Sequence, residues 1–412
     1  MIDIVYIDDL FPEGSCYTFN DPKFGYTLNL GNFVRYHFEH RLVKNPDYIN
    51  ETYLFIPICN PDIIGGIDIT KRVSDSYKLN LVISYPMETF LTDTIINFIK
   101  KLVGYYPKAK FFFSQGNANS ENKFVSRLFK QLRYIPNPLF EAHYGDYIKN
   151  SNISTVDKKP LVKKFLVPIR HAKPFRLMFY VWMKDHRILE NSYYSWTTEN
   201  LYNVLHNEVL SSAPLHKELS ANDIEMLKTP VFLDNSDQGH IVKTQWNMTH
   251  NVASSFMQIV LETTFTEGIE KDSPTIFLTE KTYKPIFYKQ PFILISEPYS
   301  LKYLRSLGYK TFGSFIDESY DVIIDPHLRM KHITNEILKI NSMSLSELED
   351  IRVQIQDIVE HNYNVFMSRP SEKILVKNIE ETLLYGKQRS IKLIGEQEIL
   401  HGSVDAHALY AQ

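Results

Sequence analysis

Short apolar runs alternate with amphipathic segments along the beginning of the chain. Four of these runs are rich in β-branched and aromatic residues, as buried strands are: Ile2–Ile7, Tyr53–Ile58, Asn80–Ser84 and Lys110–Ser114. Apolar residues recur at helical spacing in two further segments, Glu88–Val103 and Ser120–Leu132. Strands that alternate with helices predict a parallel sheet covered by helices on both faces.

The same alternation begins again after a polar, lysine-bearing stretch, Lys149–Lys164, which we interpret as a linker between domains. The second series contains strand-like and helix-like segments, in the order Phe165–Ile169, Pro174–Lys184, Phe256–Leu261 and Asp321–Ile324. Three long amphipathic patterns, typical of helices, close the series: His327–Ile340, Ser344–His361 and Glu372–Leu384. Two consecutive α/β series predict two Rossmann-like domains.

The length of the chain agrees with two domains. At 412 residues it is too long for one ordinary hydrophobic core. We expect an N-terminal domain over residues 1–150 and a second domain over residues 151–345. Residues 346–412 contain the late helices and a final stretch without clear amphipathic period. Apolar content of 44% and aromatic content of 13% exclude wholesale disorder.

Charge and cysteine usage exclude several classes of protein. A net charge of −3 lacks the basic excess of a dedicated nucleic-acid binder, although it is compatible with a local basic patch. Two cysteines, Cys16 and Cys59, cannot build a disulfide framework, which favours a reducing compartment. The chain starts with acidic residues, unlike a signal peptide, and has no run of about 18 apolar residues. We therefore expect a soluble, cytoplasmic protein without a membrane partner.

The segment Pro274–Pro298 carries the strongest chemical signal (PTIFLTEKTYKPIFYKQPFILISEP). An apolar run leads into Thr279, which stands at an N-cap position, and Glu280 and Lys281 follow in the first helical turn. A helix start offers backbone N–H groups and the positive end of the helix dipole, so that a lysine beside it suits a phosphate. The neighbouring glutamate suits a sugar hydroxyl, as in dinucleotide-binding folds. The alternative is a capped helix whose Glu280 and Lys281 are simply solvated.

A second cluster of cations follows the predicted strand Phe165–Ile169. Ligands in open α/β sheets bind beyond the carboxyl ends of strands. An arginine at such a place can hold a phosphate through two parallel hydrogen bonds, so we assign Arg170 to a diphosphate. Lys284 is a further phosphate candidate, whereas Lys173 and Arg176 are expected at the rim of the site. The alternative for Arg170 is a surface pair with a neighbouring carboxylate.

The triplet Thr279, Glu280 and Lys281, with its flanks, resembles the donor-binding segment of GT-B glycosyltransferases. The resemblance is to the fucosyltransferase-like group and its relatives in tailed phages. It implies two Rossmann-like domains with an interdomain cleft, and C-terminal helices that cross back to the first domain. It also implies that Glu280 holds the ribose of a nucleotide-sugar and that Lys281 holds the diphosphate. Arg170 matches an arginine-rich turn of the phage enzymes, although Ile169 stands where they often have asparagine.

Two glutamates acquire roles through the same resemblance. Glu88 follows the predicted strand Asn80–Ser84, where the fucosyltransferase-like enzymes place their general base. Partial burial in a closed cleft would raise the pKa of such a carboxyl toward neutrality, as a base for a hydroxyl requires. The alternative for Glu88 is a first-turn glutamate favoured only by the helix dipole. Glu262, after Phe256–Leu261, is similar to an acidic strand end that contacts a sugar hydroxyl, with a local turn cap as the alternative.

Motifs of other chemistries do not occur in the sequence. It contains no CxxC pair, no HExxH, no GxSxG and no Walker A loop, so we expect neither a metal nor a bound cofactor. Tyr194–Trp196 could line the base or acceptor side of the site, with core packing as the alternative. His361–Asn362 is interpreted as an interhelical packing or hydrogen-bonding pair.

These features predict a metal-independent, inverting glycosyltransferase that moves a hexosyl or pentosyl group from a nucleotide-sugar to an acceptor hydroxyl. Resemblance to phage relatives implies a hydroxymethylated pyrimidine of double-stranded DNA as acceptor, reached by base flipping in the host cytoplasm. The linker lysines would then contact DNA phosphates: Lys149, Lys158, Lys159, Lys163 and Lys164. Two alternatives stay open: transfer to a surface glycan or small acceptor, and a non-catalytic module that binds nucleotide-sugars or glycans.

Overall fold

The computed structural model of the chain describes residues 2–5, 30, 33–34, 38, 40–43, 51–58, 78–85, 93–116, 132–138, 141, 144–145, 148, 153–206, 208–233, 249–265 and 276–384. Several sequence predictions lie outside the described residues and stay predictions: the general base Glu88, most of the helix Ser120–Leu132, the linker residue Lys149, both cysteines, and the tail from residue 385.

The chain divides into two compact units. The first comprises Met1–His143 together with Ser371–Gln412, and the second comprises Tyr144–Pro370. The first boundary lies a few residues before the expected one at residue 150. The expected C-terminal segment 346–412 is divided between the units, because its part up to Pro370 belongs to the second unit.

Within the described ranges, the part of the first unit before residue 143 contains six parallel strands and the helix α1. The strand order is β2-β1-β3-β4-β5-β6, and every pair is parallel. The strands are β1 (Ile2–Val5), β2 (His40–Val43), β3 (Thr52–Pro57), β4 (Leu79–Tyr85), β5 (Lys110–Gln115) and β6 (Leu132–Pro136), and helix α1 is Asp93–Tyr105. The predicted parallel sheet is therefore confirmed, although the sequence pattern missed β2 and β6.

Side chains alternate between two buried faces of this sheet. Leu81 and Ile83 of β4 join the core cluster that contains the buried side of α1, whereas Val82 joins a separate cluster on the other face. Strands buried on both faces read as continuous apolar runs, which is why β3, β4 and β5 were recognisable from sequence.

The second unit contains a smaller parallel sheet with the order β10-β9-β7-β8. Its strands are β7 (Lys163–Pro168), β8 (Ser192–Ser195), β9 (Ser255–Leu261) and β10 (Phe292–Ile295). Its helices are α2 (Pro174–Asp185), α3 (Leu201–Leu205), α4 (Ala221–Lys228), α5 (Thr249–Ala253), α6 (Glu280–Phe287), α7 (Ser300–Ser306), α8 (Pro326–Ser342), α9 (Leu345–Gln354) and α10 (Gln356–Met367). The prediction of two α/β units with parallel sheets is confirmed.

Two predicted elements of the second unit were wrong. The strand-like segment Asp321–Ile324 is no strand, because a 3-10 helix spans Glu318–Val322. The Asp321 carboxylate accepts the backbone N–H groups of Leu301 and Lys302 at 2.8 and 2.9 Å, so this segment caps the start of α7. The single helix predicted over Ser344–His361 is two helices, α9 and α10, that meet at Ile355.

The end of the described chain returns to the first unit. Helix α11 (Pro370–Ile379) and a π-helical turn over Glu380–Leu384 place Leu375, Ile379 and Leu383 in the core cluster of Val82. The carboxylate of Glu141 accepts the backbone N–H of Ser371 at 2.7 Å, which fixes the start of this helix. The predicted crossing back of the C-terminal helices thus holds for α11, whereas α9 and α10 stay with the second unit.

Parallel strands bring the segments that follow them to one edge of a sheet. In the second unit, the carboxyl ends of β7, β9 and β10 therefore form one edge, where ligands of open α/β sheets bind. Among the described residues, no helix is both long and apolar enough to span a bilayer.

Candidate functional site

A fully buried glutamate, Glu262, connects the end of β9 to the start of α6. Its Oε1 accepts the backbone N–H of Thr279 at 2.9 Å and the hydroxyl of Thr282 at 2.6 Å. Its Oε2 accepts the hydroxyl of Thr279 at 2.7 Å and the backbone N–H of Thr263 at 3.0 Å. Four donors occupy both oxygens of the carboxylate. In this structure Glu262 therefore holds the helix start in place, as in the capping alternative, rather than presenting its oxygens to a sugar.

Helix α6 begins at Glu280, directly after Thr279, where the sequence places the N-cap. The hydroxyl of Thr279 does not cap the helix, although its backbone is extended (φ −114°, ψ −169°). It donates to Glu262 instead and accepts a hydrogen bond from Lys281 Nζ at 3.0 Å. The sequence thus predicted the position of the helix start but missed the group that stabilises it, which comes from another strand.

Lys281 extends its ammonium over the carboxyl end of β9. Its Nζ lies 3.0 Å from Glu280 Oε1 and also donates to Thr263 Oγ1 at 3.2 Å and to Thr279 Oγ1. A quarter of the side chain is exposed to solvent. Lys281 therefore joins both segments of the site and stays accessible to a ligand.

Two neighbouring ionisable groups on α6 have strongly shifted pKa values. Burial alone would raise the pKa of Glu280, but the positive charges of Lys281 and Lys284 outweigh this effect and hold the pKa at about 2. Burial lowers the pKa of Lys284 to about 8; Glu280 opposes the shift, while the charges of Lys281 and Arg170 add to it. Glu280 is ionised at neutral pH, and Lys284 lies among charges of both signs: the carboxylates of Glu280 and Glu262 and the cations Lys281 and Arg170.

The turn between β7 and α2 brings Arg170 to the same edge. Arg170 Nε lies 3.4 Å from Glu199 Oε2, and His171 Nδ1 lies 3.3 Å from the same oxygen. Burial lowers the pKa of His171; Glu199 opposes this, and the charges of Arg170, Arg176 and Lys281 add to it. Arg170 thus forms the surface pair of the alternative interpretation, yet it also lies close enough to α6 to act on Lys284.

Two cations expected at the rim are structural instead. Arg176 is almost fully buried and donates to the carbonyl oxygens of Glu262 at 2.5 Å, Leu261 at 3.2 Å and His171 at 3.2 Å. Lys173 Nζ donates to the carbonyl of Thr263 at 2.8 Å. The expectation for Arg176 was wrong, because α2 is buried on nearly all sides. A cation in such a helix must be satisfied internally, and the apolar run after Arg176 was the signal that could have shown this.

Within the segment Tyr194–Trp196, Trp196 belongs to the core, whereas Tyr194 and Ser195 are half-buried. Trp196 is fully buried, and its Nε1 donates to the carbonyl of Leu227 at 2.7 Å. The ring of Tyr180 stacks on Trp196 with centroids 4.8 Å apart. Packing is thus the role that the structure gives Trp196, rather than a lining of the site.

The structure brings six of the seven predicted site residues to one edge of the second sheet: Arg170, Glu262, Thr279, Glu280, Lys281 and Lys284. The seventh, Glu88, lies outside the described residues. Among the described residues, no group of three or more histidine, cysteine, aspartate or glutamate side chains is placed to hold a metal ion. Three cations around a helix start form a site for an anion, and the ionised Glu280 beside them accepts hydroxyl hydrogens.

Comparison with known proteins gives weak likenesses. No family model matches the chain, and no curated protein matches it. Among solved structures, it is similar to the DNA-modifying enzyme β-glucosyltransferase, solved in the presence and absence of uridine diphosphoglucose (TM-score 0.47, 9% identity, 92% of this chain and 99% of that chain). A mutant of the T4 phage enzyme in complex with UDP-glucose gives a TM-score of 0.45 at 10% identity over 92% and 99% of the two chains. A GtfA/B complex gives 0.33 at 11% identity, over 80% of this chain and 57% of that chain. At these identities and TM-scores, the likenesses do not establish a function for this chain.

Proposed function

We propose that the second unit binds the diphosphate and ribose of a nucleotide-sugar and that the chain is a glycosyltransferase. The observation that carries this proposal is that Arg170, after β7, lies near Lys281 and Lys284 of α6, beyond the carboxyl ends of β7 and β9. Burial lowers the pKa of Lys284, and a diphosphate bound beside its ammonium would offset the cost of that desolvation.

The proposed contacts follow from the chemistry of each side chain. Lys281 and Arg170 neutralise the diphosphate together with the backbone amides at the start of α6. The carboxylate of Glu280 is ionised at neutral pH, so it can only accept hydrogen bonds, and in this proposal it accepts them from the two hydroxyl groups of the ribose. In the structure, Lys281 pairs with Glu280 and Arg170 pairs with Glu199. We propose that both cations exchange these carboxylates for phosphate oxygens, so that little rearrangement is needed.

The proposed reaction is a single displacement with inversion. The acceptor oxygen forms a bond to the anomeric carbon, the bond from that carbon to the diphosphate oxygen breaks, and the acceptor proton passes to the carboxylate of Glu88. Lys281 and Arg170 stabilise the charge that develops on the departing nucleoside diphosphate, the task that a divalent cation performs in other transferases. We therefore propose that the transfer is independent of a metal ion.

For the acceptor we propose a hydroxymethylated base of duplex DNA, supported by the resemblance of the sequence block alone. The predicted role of the linker lysines is not supported, since Lys158, Lys163 and Lys164 donate to the main-chain carbonyls of Tyr288, Glu190 and Asn341. They lie at the amino ends of the strands, because β7 starts at Lys163. A six-residue strand is about 20 Å long, so these lysines are remote from the site at its carboxyl end.

The decisive test measures release of nucleoside diphosphate from a panel of nucleotide-sugars. The acceptors offered are a duplex containing hydroxymethylated pyrimidines, an oligosaccharide and a small glycoside. Lys281→Ala and Arg170→Ala should each abolish release. The matched exposed variants Lys228→Ala and Arg187→Ala in the same unit should not. Wild-type turnover in Lys281→Ala or Arg170→Ala would exclude the proposed site.

The same assay separates the alternatives. Binding of a nucleotide-sugar without release of diphosphate, with every acceptor, identifies a non-catalytic binding module. Release with the oligosaccharide or the small glycoside, but not with the duplex, refutes the DNA acceptor. A rate that falls on addition of EDTA contradicts metal independence.

A further inference from the structure

A cavity of about 210 Å³ lies at the opposite edge of the second sheet from the candidate donor site. It is located where β7, β9 and β10 begin, since Phe256 is at the start of β9 and Pro291 directly precedes β10. The junction between α9 and α10 closes one side with Val353 and Ile355. The volume far exceeds the roughly 10–15 Å³ that a single water needs, so a small organic molecule fits.

Three cations line this cavity, Lys158, Lys289 and Arg352, and its other lining residues are apolar except for Gln356. Arg352 is paired with Glu349 and also donates to the carbonyl of Lys159 at 2.9 Å. Lys289 is paired with Glu360 at 2.7 Å. Two of the three charges are therefore balanced by carboxylates of the same unit.

The third cation, Lys158, differs from the other two. Among the described residues it forms no ion pair, and its ammonium donates to the carbonyl of Tyr288 at 3.0 Å. Burial, together with the charges of Arg352 and Lys289, lowers its pKa to about 8. An ammonium has three donors, and this one lies beside two like charges at an apolar wall. An anion bound beside Lys158 would accept hydrogen bonds from its remaining donors and offset the surrounding positive charge.

We propose that this cavity binds a small organic phosphate. Its anionic group would lie between Lys158, Lys289 and Arg352, and its apolar part would contact Phe256, Pro291 and Val359. The proposal does not rest on the proposed transferase activity, because no residue of the cavity belongs to the donor site. It gives the second unit two anion sites, one at each end of the sheet.

The test uses phenyl phosphate, which combines a phosphate with an aromatic ring, and isothermal titration of the full chain. Lys158→Met keeps the apolar stem and removes the charge, and it should weaken binding about 10-fold or more. The neighbouring exposed lysine provides the control, Lys159→Met, which should stay within about 2-fold. Lys228→Met changes another exposed lysine that does not line the cavity, and it should also bind phenyl phosphate like the wild type.

A second pair of variants protects the test against loss of folding. Val353 is 75% exposed at the rim, so substitution there does not disturb the core. Val353→Glu places a competing carboxylate beside the cations and should weaken phenyl phosphate binding, whereas Val353→Gln of equal size should not. The proposal is overturned if the wild type shows no binding up to about 10 mM, if Lys158→Met or Val353→Glu binds like the wild type, or if Lys159→Met weakens binding as much as Lys158→Met.

Discussion

Replacing Glu262 tests the role of the buried carboxylate at the centre of the candidate site. In Glu262→Gln, one carboxylate oxygen becomes an NH2 group of nearly the same size. Each oxygen accepts one backbone N–H, from Thr279 or from Thr263, in addition to one hydroxyl. Hydroxyl groups can rotate, but a backbone N–H cannot. Whichever way the amide is oriented, its NH2 therefore faces one backbone donor that has lost its acceptor.

The expected loss of stability follows from these four hydrogen bonds. A buried donor left without an acceptor costs about 1–3 kcal/mol, so we expect Glu262→Gln to lose about 2–3 kcal/mol. Glu262→Ala removes all four acceptor contacts and should lose about 3–5 kcal/mol. The whole free energy of unfolding of a domain is about 5–15 kcal/mol, so both changes are large.

Tryptophan fluorescence in urea measures this loss in the correct unit. The sequence has no tryptophan in the ranges of the first unit, whereas Trp182 and Trp196 lie in the described part of the second unit. With an m-value of about 2–3 kcal/mol/M, Glu262→Gln should lower the urea midpoint by about 1 M. Glu225→Gln, an exposed glutamate of α4, is the matched control and should stay within about 0.5 kcal/mol of the wild type. If Glu262→Gln also stays within that margin, the assignment of Glu262 as the anchor of α6 is wrong.

Four further predictions concern charge, hydrogen bonding and packing. Because Lys284 is an ammonium below its pKa of about 8, nucleotide-sugar affinity should fall as the pH rises through 8, and Lys284→Met should remove this pH dependence of the dissociation constant. Folding lowers the pKa of Lys284 from 10.5 to about 8, so the charged lysine destabilises the folded state by its full amount below about pH 8. As the pH rises from 8 to 10.5, the free energy of unfolding should therefore increase, which urea midpoints across that range would show. Asn362 forms two hydrogen bonds of 2.8 Å with the backbone of Lys310, so Asn362→Ala should lower the free energy of unfolding in urea by about 1–3 kcal/mol. The exposed control Asn364→Ala should lower it little, and equal losses in the two variants would contradict this role of Asn362. Leu375→Ala should lower the free energy of unfolding of the first unit by about 2–5 kcal/mol, because it leaves a cavity in the core cluster. Faster amide hydrogen exchange in β3 and β4 would show this loss, and unchanged exchange there would refute the packing of α11 on the sheet.

Local patterns in the sequence predicted much of the second unit and the cations of the site. The start of α6 at Glu280, the strands β7 and β9, and the turn that carries Arg170 were all recognisable from apolar runs and capping residues. Such features depend on residues within a few positions of one another, so the chain reveals them directly. The pair His361–Asn362 was also recognised as hydrogen-bonding, although its partners are the carbonyl of Gly308 and the backbone of Lys310 rather than another helix.

Only the tertiary structure decided which of these groups meet and what each is occupied with. Glu262 lies 17 residues before Thr279 and reaches it because β9 ends beside the start of α6, so no local pattern could separate an anchor from a sugar ligand. The pairing of Arg170 with Glu199 and the burial of Arg176 likewise depend on strand order. The lysines around residue 160 lie at the amino ends of the strands, because β7 begins directly after them and runs parallel to β8 and β9. The spacing of the charges along the chain does not contain this information. The sequence by itself determined which chemical groups the second unit carries. The parallel arrangement of its strands determined that the cations of the candidate donor site lie at one edge of the sheet and that Lys158 lies at the opposite edge.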